Sequence, residues 1–297
     1  MKTIIYILIT IMVASLVYSA IPQSLKQTNI YQNELTLESK ERALSANELS
    51  KSKKILSKRL EDYGIKLFTI FPVNEKSQIK ISFKEKQNVL EIIDLLRSKG
   101  QLYFAETYSS YEISSKLNRN DFIFSMLNAV NEIDRDNFSA KLGECKRENA
   151  EKLSQHLGYT GFRSQVPEDA RFAWGKVTAE NANRLSLFTL KIDPEKPIVL
   201  NGKTIKEIKL EKTNEKNTQV YVQFSQNGAG FWEKMTHDNL NRSIAILMDQ
   251  QVYFTPVVKS EIKGGNCVLT GDFTSDEMKS FVSIVRNGEL PASFQLK

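Results

Sequence analysis

The stretch that most constrains this chain covers residues 256–291. It opens with Pro256-Val257-Val258 and passes through a polar link to Gly264 and Gly265. It continues as Asn266-Cys267-Val268-Leu269-Thr270-Gly271-Asp272-Phe273-Thr274. The glycine pair marks a turn in which φ > 0 is open to the chain. Thr274 and Glu277 have the spacing of a capping box, in which hydroxyl and carboxylate each satisfy an orphan amide of a helix start. Met278, Phe281, Val282 and Val285 then fall at i, i+3, i+4 and i+7, one apolar face of a helix. Gly288 is placed to end that helix, and Pro291 blocks its return. The spacing therefore predicts strand, cap, amphipathic helix and stop, which by itself describes an ordinary α+β unit.

Upstream, the same signals predict a second unit. Ser45 and Glu48 repeat the capping box, and Leu49, Leu56, Leu60 and Tyr63 follow at helical spacing up to Gly64. Residues 65–71 and 78–83 read as a hairpin, with Ile79, Ile81 and Phe83 alternating with polar residues. Val89, Ile92, Ile93 and Leu96 form another helix face, closed by Gly100, and residues 101–107 read as a final strand. The order strand, helix, strand, strand, helix, strand is that of a ferredoxin-like unit. Residues 109–187 carry weaker signals. Asn120 is placed to cap a helix bearing Phe122, Met126 and Val130, and a second helix is predicted near residues 147–157. Phe172-Ala173-Trp174-Gly175 is a compact aromatic patch that suits a core. From residue 191 a further α+β unit begins: strands over 205–210 and 219–224, a helix carrying Phe231, Trp232 and Met235, and a hairpin over 244–248 and 252–258. The fold class expected is α+β with mainly antiparallel sheets. Its domains are a hydrophobic segment at 1–21, a tether at 22–34, a ferredoxin-like base at 35–107, a helical insertion at 108–195 and a head at 196–297. The head's last strand is free to return to the base.

With 297 residues the chain has room for two modest domains, and 41% hydrophobic with 26% charged residues describes a globular protein. The 41 basic and 35 acidic residues leave a net charge of +6 that is scattered rather than clustered. The densest group, Lys51, Lys53, Lys54, Lys58 and Arg59, lies on a predicted helix and reads as a solvated face, so no nucleic-acid partner is expected. Residues 3–21 carry no charge and are long enough to cross a bilayer. Val17-Tyr18-Ser19 before Ala20 also resembles a cleavage site, so the segment is either a retained membrane helix or a signal peptide. Both readings put the rest of the chain on the far side of the membrane. Cys145 and Cys267 make no metal-ligand pattern; they either pair or stay buried and free. His156 and His237 have no trusted metal-like or catalytic neighbours. Asn227-Gly228-Ala229-Gly230 opens a helix but lacks the spacing and parallel context of a dinucleotide fingerprint. No catalytic constellation, metal site or cofactor is expected.

The word order of residues 256–291 also resembles a family. A Pro-Val-apolar strand (Pro256-Val257-Val258), a Gly-Gly turn (Gly264-Gly265), a Gly-polar-Phe-Thr cap (Gly271-Asp272-Phe273-Thr274) and a Gly-x-Leu-Pro exit (Gly288-Glu289-Leu290-Pro291) occur together in SecD. They mark the end of the large first periplasmic domain of that accessory subunit of the bacterial Sec export machinery. Thr236, Asn239, Ala245, Ile246 and Asp249 extend the resemblance. So does the stretch from Ser57 to Gly64, which keeps Arg59 and the terminal glycine of the family's helix. Two positions depart from the family. Gln250 stands where relatives tend to have glycine after the aspartate, so a longer or different turn is expected; Asn241 replaces another glycine, and Asn tolerates left-handed φ best among the remaining residues. The resemblance implies a base-plus-head domain outside the cytoplasmic membrane, in a stand-alone form without the later membrane helices that carry the family's proton-linked residues. The implied partners are the Sec translocon or unfolded exported polypeptide, reached from a single-pass membrane anchor or, after cleavage, from the periplasm. The alternative is an envelope structural or interaction protein that reuses the head fold. An aromatic surface suits varied polypeptide side chains. Phe231, Trp232, Tyr253 and Phe254 are its candidates, with Trp232 expected to be the exposed member; the competing reading places all four in the core.

Overall fold

The computed structural model describes residues 33–73, 77–84, 89–128, 139–178, 181–212, 218–270 and 273–297. The hydrophobic segment at 3–21, most of the tether, Gly271, Asp272 and Val130 lie outside the described residues. Among the described residues, no helix is long and apolar enough to cross a membrane. The chain divides into two compact units: Met1–Lys99 together with Leu290–Lys297, and Gly100–Glu289.

In the first unit, β1 (Asn33–Ser39) leads to α1 (Ala46–Tyr63), β2 (Phe68–Val73), β3 (Gln78–Phe83) and α2 (Val89–Arg97). The α1 cap forms as its spacing predicts: the Glu48 amide donates to the Ser45 hydroxyl and the Ser45 amide donates to the Glu48 carboxylate. Gly64 closes the helix in the left-handed region at φ 109°, its amide donating to the Leu60 and Glu61 carbonyls. The sheet order is Phe294–Leu296, β1, β3, β2, with every pairing antiparallel. Leu35, Leu37, Ile79, Ile81 and Phe83 all point inward and are buried with Leu49, Leu56 and Leu60 of α1 and Ile92, Leu95 and Leu96 of α2. Arg59 is fully buried within this core. Its guanidinium donates to the carbonyls of Leu95 at 3.2 Å, Ser98 at 2.5 Å and Lys99 at 3.2 Å, placing a cation on the C-terminal end of α2.

The second unit holds β4 (Leu102–Thr107), α3 (Ser110–Ser114), α4 (Phe122–Met126), β5 (Leu127–Asn128), β6 (Lys141–Lys146), α5 (Ala150–Gly158), α6 (Thr160–Arg163), β7 (Ala170–Trp174) and β8 (Arg184–Lys191). It continues through β9 (Ile205–Lys212), β10 (Thr218–Phe224), α7 (Gln226–Asp238), β11 (Ile244–Met248), β12 (Gln251–Phe254), β13 (Asn266–Leu269) and α8 (Ser275–Asn287). One sheet has three strands in the order β13, β10, β9. The other has seven strands in the order β12, β11, β4, β8, β6, β5, with β7 also paired to β8. That larger sheet curls back on itself. Gly175, just after β7, bridges Val252 of β12, and the Lys176 amide donates to the Val252 carbonyl at 2.8 Å. The ring β4–β11–β12–β7–β8 encloses Ala105, Ala173, Leu190, Ala245, Leu247 and Val252. Alanine at three of these positions leaves room for so few strands to close, because interior space shrinks as the number of strands falls.

Three expectations are corrected by this arrangement. Residues 102–107 do not complete the base sheet; they lie between β11 and β8 in the second unit. The last place in the base sheet is taken by β14 (Phe294–Leu296), which pairs with Leu37, Glu38 and Ser39 of β1. The insertion is not purely helical. It contributes β5, β6, β7 and β8, and α3 to α6 pack over them around Ile113, Ile123, Leu153 and Phe162. Within it, α4 is capped by Asp121, which accepts from the Ile123 amide at 3.0 Å, one residue beyond the expected Asn120.

Candidate polypeptide-binding surface

The candidate aromatic residues sit on α7 and β12. Close packing fixes the start of α7. A Cβ on Gly228 would lie 2.9 Å from the Thr204 carbonyl oxygen, and one on Gly265 would lie 2.5 Å from the Ala229 Cβ. Gly264 and Gly265 both have positive φ, at 78° and 71°. The Gly-Gly turn therefore serves two ends: it bends the chain and lets the segment before β13 press onto α7. The Ser225 hydroxyl accepts from the Gly228 amide and caps the helix.

This seating divides neighbouring residues between core and solvent. Trp232 turns inward and is 2% exposed, with ring centroids 5.6 Å from Phe104 and 5.3 Å from Phe224. The expectation that Trp232 is the exposed member is therefore corrected: α7 packs on β10, and the Trp232 face is the one that fills the space beneath it. Phe231, one residue earlier, is 44% exposed. Leu240 and Val257, in the loops after α7 and β12, are likewise exposed, and the Asn241 amide donating to the Val258 carbonyl at 2.8 Å ties those loops together. The loop residues carried no periodic signal that marked them as surface apolar groups.

On β12, Phe254 is buried between Phe273, at 4.9 Å, and Phe281, at 5.2 Å. Tyr253 is half-buried, stacked 6.1 Å from Phe273 at an interplanar angle of 14°. The Lys176 ammonium stands over its ring at 6.0 Å, the outer limit of a cation–π contact. Solvent thus reaches Phe231 and Tyr253 of the four candidates, while Trp232 and Phe254 belong to the core.

The motif residues explain the scaffold around this surface. Asn239 is buried, and its side-chain amide donates to the Met235 carbonyl at 2.9 Å. Asn241 takes left-handed φ at 61°. The turn at Asp249 corrects another expectation. Met248 pairs with Gln251, and both intervening residues have positive φ, Asp249 at 52° and Gln250 at 68°, so the tight two-residue turn persists without glycine. The Asp249 carboxylate holds it by accepting from the Gly100 and Gln101 amides at 3.2 and 2.9 Å. The Pro256 carbonyl accepts from the Ile244 amide. Thr274 and Glu277 form the capping box of α8, and Gly288, at φ 79°, ends that helix. Phe273, just before the α8 cap, packs its ring against Tyr253 and Phe254 of β12. Pro291 lies just before β14.

Titratable groups here are structural. His156 donates or accepts through Nε2 with the Asp121 carboxylate at 2.7 Å, its ring between Phe122 and Phe162. Burial pushes the Asp121 carboxyl up, but the Ile123 amide, His156 and Gln165 outweigh it and hold the group below the usual carboxylate range. His237 lies 3.9 Å from Glu261. Cys145 and Cys267 are free and buried; burial pushes the Cys267 thiol up to about 12. Among the described residues, no three His, Cys, Asp or Glu side chains are grouped to hold a metal.

Comparison with known proteins bears out the resemblance drawn from the motifs. Residues 176–292 match the family model described as SecDF, P1 head subdomain. The protein translocase subunit SecD of Calditerrivibrio nitroreducens is 29% identical over 132 residues, 44% of this chain and 25% of that protein. SecD of Syntrophobacter fumaroxidans is 31% identical over 110 residues, 34% of this chain and 20% of that protein. The chain thus matches no more than a quarter of the length of these relatives. A crystal structure of SecDF in a super-membrane-facing form shares the fold, with a TM-score of 0.52 and 17% identity over 89% of this chain and 29% of that one.

Proposed function

We propose that the chain is an extracytoplasmic SecD-like module that assists protein translocation by binding emerging polypeptide or the Sec machinery, without proton coupling of its own. The observation that carries this reading is the match of residues 176–292 to the SecDF P1 head, in a unit whose apolar surface includes Phe231, Leu240 and Val257. Exposed apolar side chains on a rigid scaffold suit a partner whose own side chains vary, because such contacts need shape and area rather than matched hydrogen bonds. Proton coupling requires ionisable groups inside the bilayer. Residues 3–21 hold only Tyr6 and Tyr18 of that kind, and a phenol with a pKa near 10 is a poor carrier at neutral pH.

The test is a titration of the full chain with an unfolded export substrate and with a folded control. Selective binding to the unfolded protein is expected, weakened by Phe231→Ser with an unchanged circular dichroism spectrum. Equal or absent binding to both proteins turns the reading down in favour of an envelope structural role. Location is tested separately. A reporter active only in the cytoplasm, fused after Lys297, is expected to be silent; strong reporter activity contradicts an exported domain.

A further inference from the structure

The insertion contains a cavity of about 560 Å³ that the reading above does not use. Its apolar wall is built from Leu157, Phe172 and Trp174, and its polar wall from Arg163, Arg171 and Glu168. The two guanidiniums are held against the same backbone. Arg163 donates to the carbonyls of Ala170 at 3.1 Å and Glu168 at 3.4 Å; Arg171 donates to those of Glu168 at 2.6 Å and Ala170 at 2.8 Å. Neither forms an ion pair with a carboxylate among the described residues. Asp193 feels the charge of Arg171, but its hydrogen bonds go to Lys196 and the Glu195 amide. Burial, and then the charge of Arg171, hold the Arg163 guanidinium below its ordinary range. Two like charges therefore line one cavity, partly desolvated, each guanidinium fixed by backbone carbonyls that take only some of its N–H groups. A carboxylate entering there meets preorganised charge-assisted donors and relieves the repulsion.

We propose that this cavity binds extended polypeptide bearing an Asp or Glu beside a large apolar side chain, the guanidiniums taking the carboxylate and Leu157, Phe172 and Trp174 taking the apolar group. Glu168, which lines the same cavity, suits a peptide N–H and repels a second anion. The proposal takes polypeptide as the ligand class from the reading above, but its site is separate from Phe231.

The test uses the full chain with short labelled peptides of alternating Asp and Leu, Lys and Leu, or Asp and Ser. The Asp–Leu peptide is expected to bind about tenfold more tightly than the other two. The double variant Arg163→Gln, Arg171→Gln should remove that preference. Since those side chains also hold backbone carbonyls, Gly158→Phe provides a second route. Gly158 lines the cavity, and a Cβ there meets no atom within 4 Å, so a bulky side chain can be added at the cavity wall without a clash at its Cβ. Gly158→Phe is expected to weaken Asp–Leu binding about tenfold with an unchanged spectrum. Equal affinity for all three peptides, or unchanged affinity in Gly158→Phe, overturns the proposal. Arginine-dependent capture of phosphatidylglycerol vesicles without an Asp–Leu preference also overturns it and assigns the site to membrane. The two readings fail differently. Unselective peptide binding lost in Phe231→Ser leaves the head surface standing and sinks the cavity; a preference lost in Gly158→Phe, together with export-substrate binding that Phe231→Ser does not weaken, keeps the cavity and sinks the head surface.

Discussion

Gln250 shows how far one residue can depart from a pattern without changing the backbone. The two-residue turn between β11 and β12 needs positive φ at both positions, and the Asp249 carboxylate, fixed by the Gly100 and Gln101 amides, over-determines that geometry. Gln250 then tolerates φ 68° although its Cβ disfavours the region. Gln250→Gly is expected to stabilise the second unit by about 0.5–1 kcal/mol, the strain relieved less the added unfolded-state entropy, read from the urea midpoint. Arg59 is the opposite case, a polar residue whose environment was not legible. In sequence it belongs to a basic run that reads as a solvated face; in the fold, the helical periodicity turns it inward with Leu56 and Leu60. Its three carbonyl partners lie 36 to 40 residues away, a distance no local pattern encodes. Arg59→Met keeps the stem but strips donors from buried carbonyls, and should cost about 1–3 kcal/mol in denaturant unfolding of the first unit. Trp232 and Phe231 make the same point for the candidate surface. Adjacent aromatics on one helix must face different ways, but which one meets the sheet depends on Gly228 and Gly265 letting α7 settle close.

Among the elements, helix starts were the most legible and strand partners the least. Capping boxes are local, so Ser45 with Glu48 and Thr274 with Glu277 could be read directly and are formed. A strand's partner is not local. Residues 102–107 follow a ferredoxin-like order and have the composition of a strand, but pairing with β11 and β8 takes them from the base sheet. The α1 cap carries a pH signature. Hydrogen bonds from Arg42, and then from the Ser45 amide and hydroxyl, lower the Glu48 carboxyl to about 2 from an ordinary 4.5. Because the folded value lies below the unfolded one, its contribution to stability is present above pH 4.5 and disappears as pH falls through about 2. The difference in thermal midpoint between the native chain and Glu48→Gln should therefore be full near neutrality, shrink below pH 4.5 and vanish near 2. A difference that does not change with pH would mean that the carboxylate charge contributes nothing to the cap.

At the scale of the whole molecule, the chain leaves the first unit after Lys99 and re-enters it at Leu290, so that unit is complete only when its last eight residues, Leu290–Lys297, have been supplied. These residues are more than a tail. Leu290, Ala292 and Phe294 are at most 2% exposed, β14 pairs with β1, and the Leu290 amide donates to the Lys99 carbonyl at 2.8 Å. Removing residues 290–297 takes the outer strand from a four-stranded sheet, exposes the β1 edge and opens the space filled by Phe294. Loss of a buried phenylalanine side chain alone costs about 3–5 kcal/mol, a large part of the stability of a small domain. The second unit, Gly100–Glu289, is continuous in sequence and keeps both of its sheets after the cut. Hydrogen exchange on the truncated chain should therefore show protection collapsing in β1, β3, α1 and α2 while amides of β10 and β11 stay slow. Phe294→Ala should reproduce the pattern more mildly, without creating a new terminus. Equal loss of protection across both units would show that they unfold together.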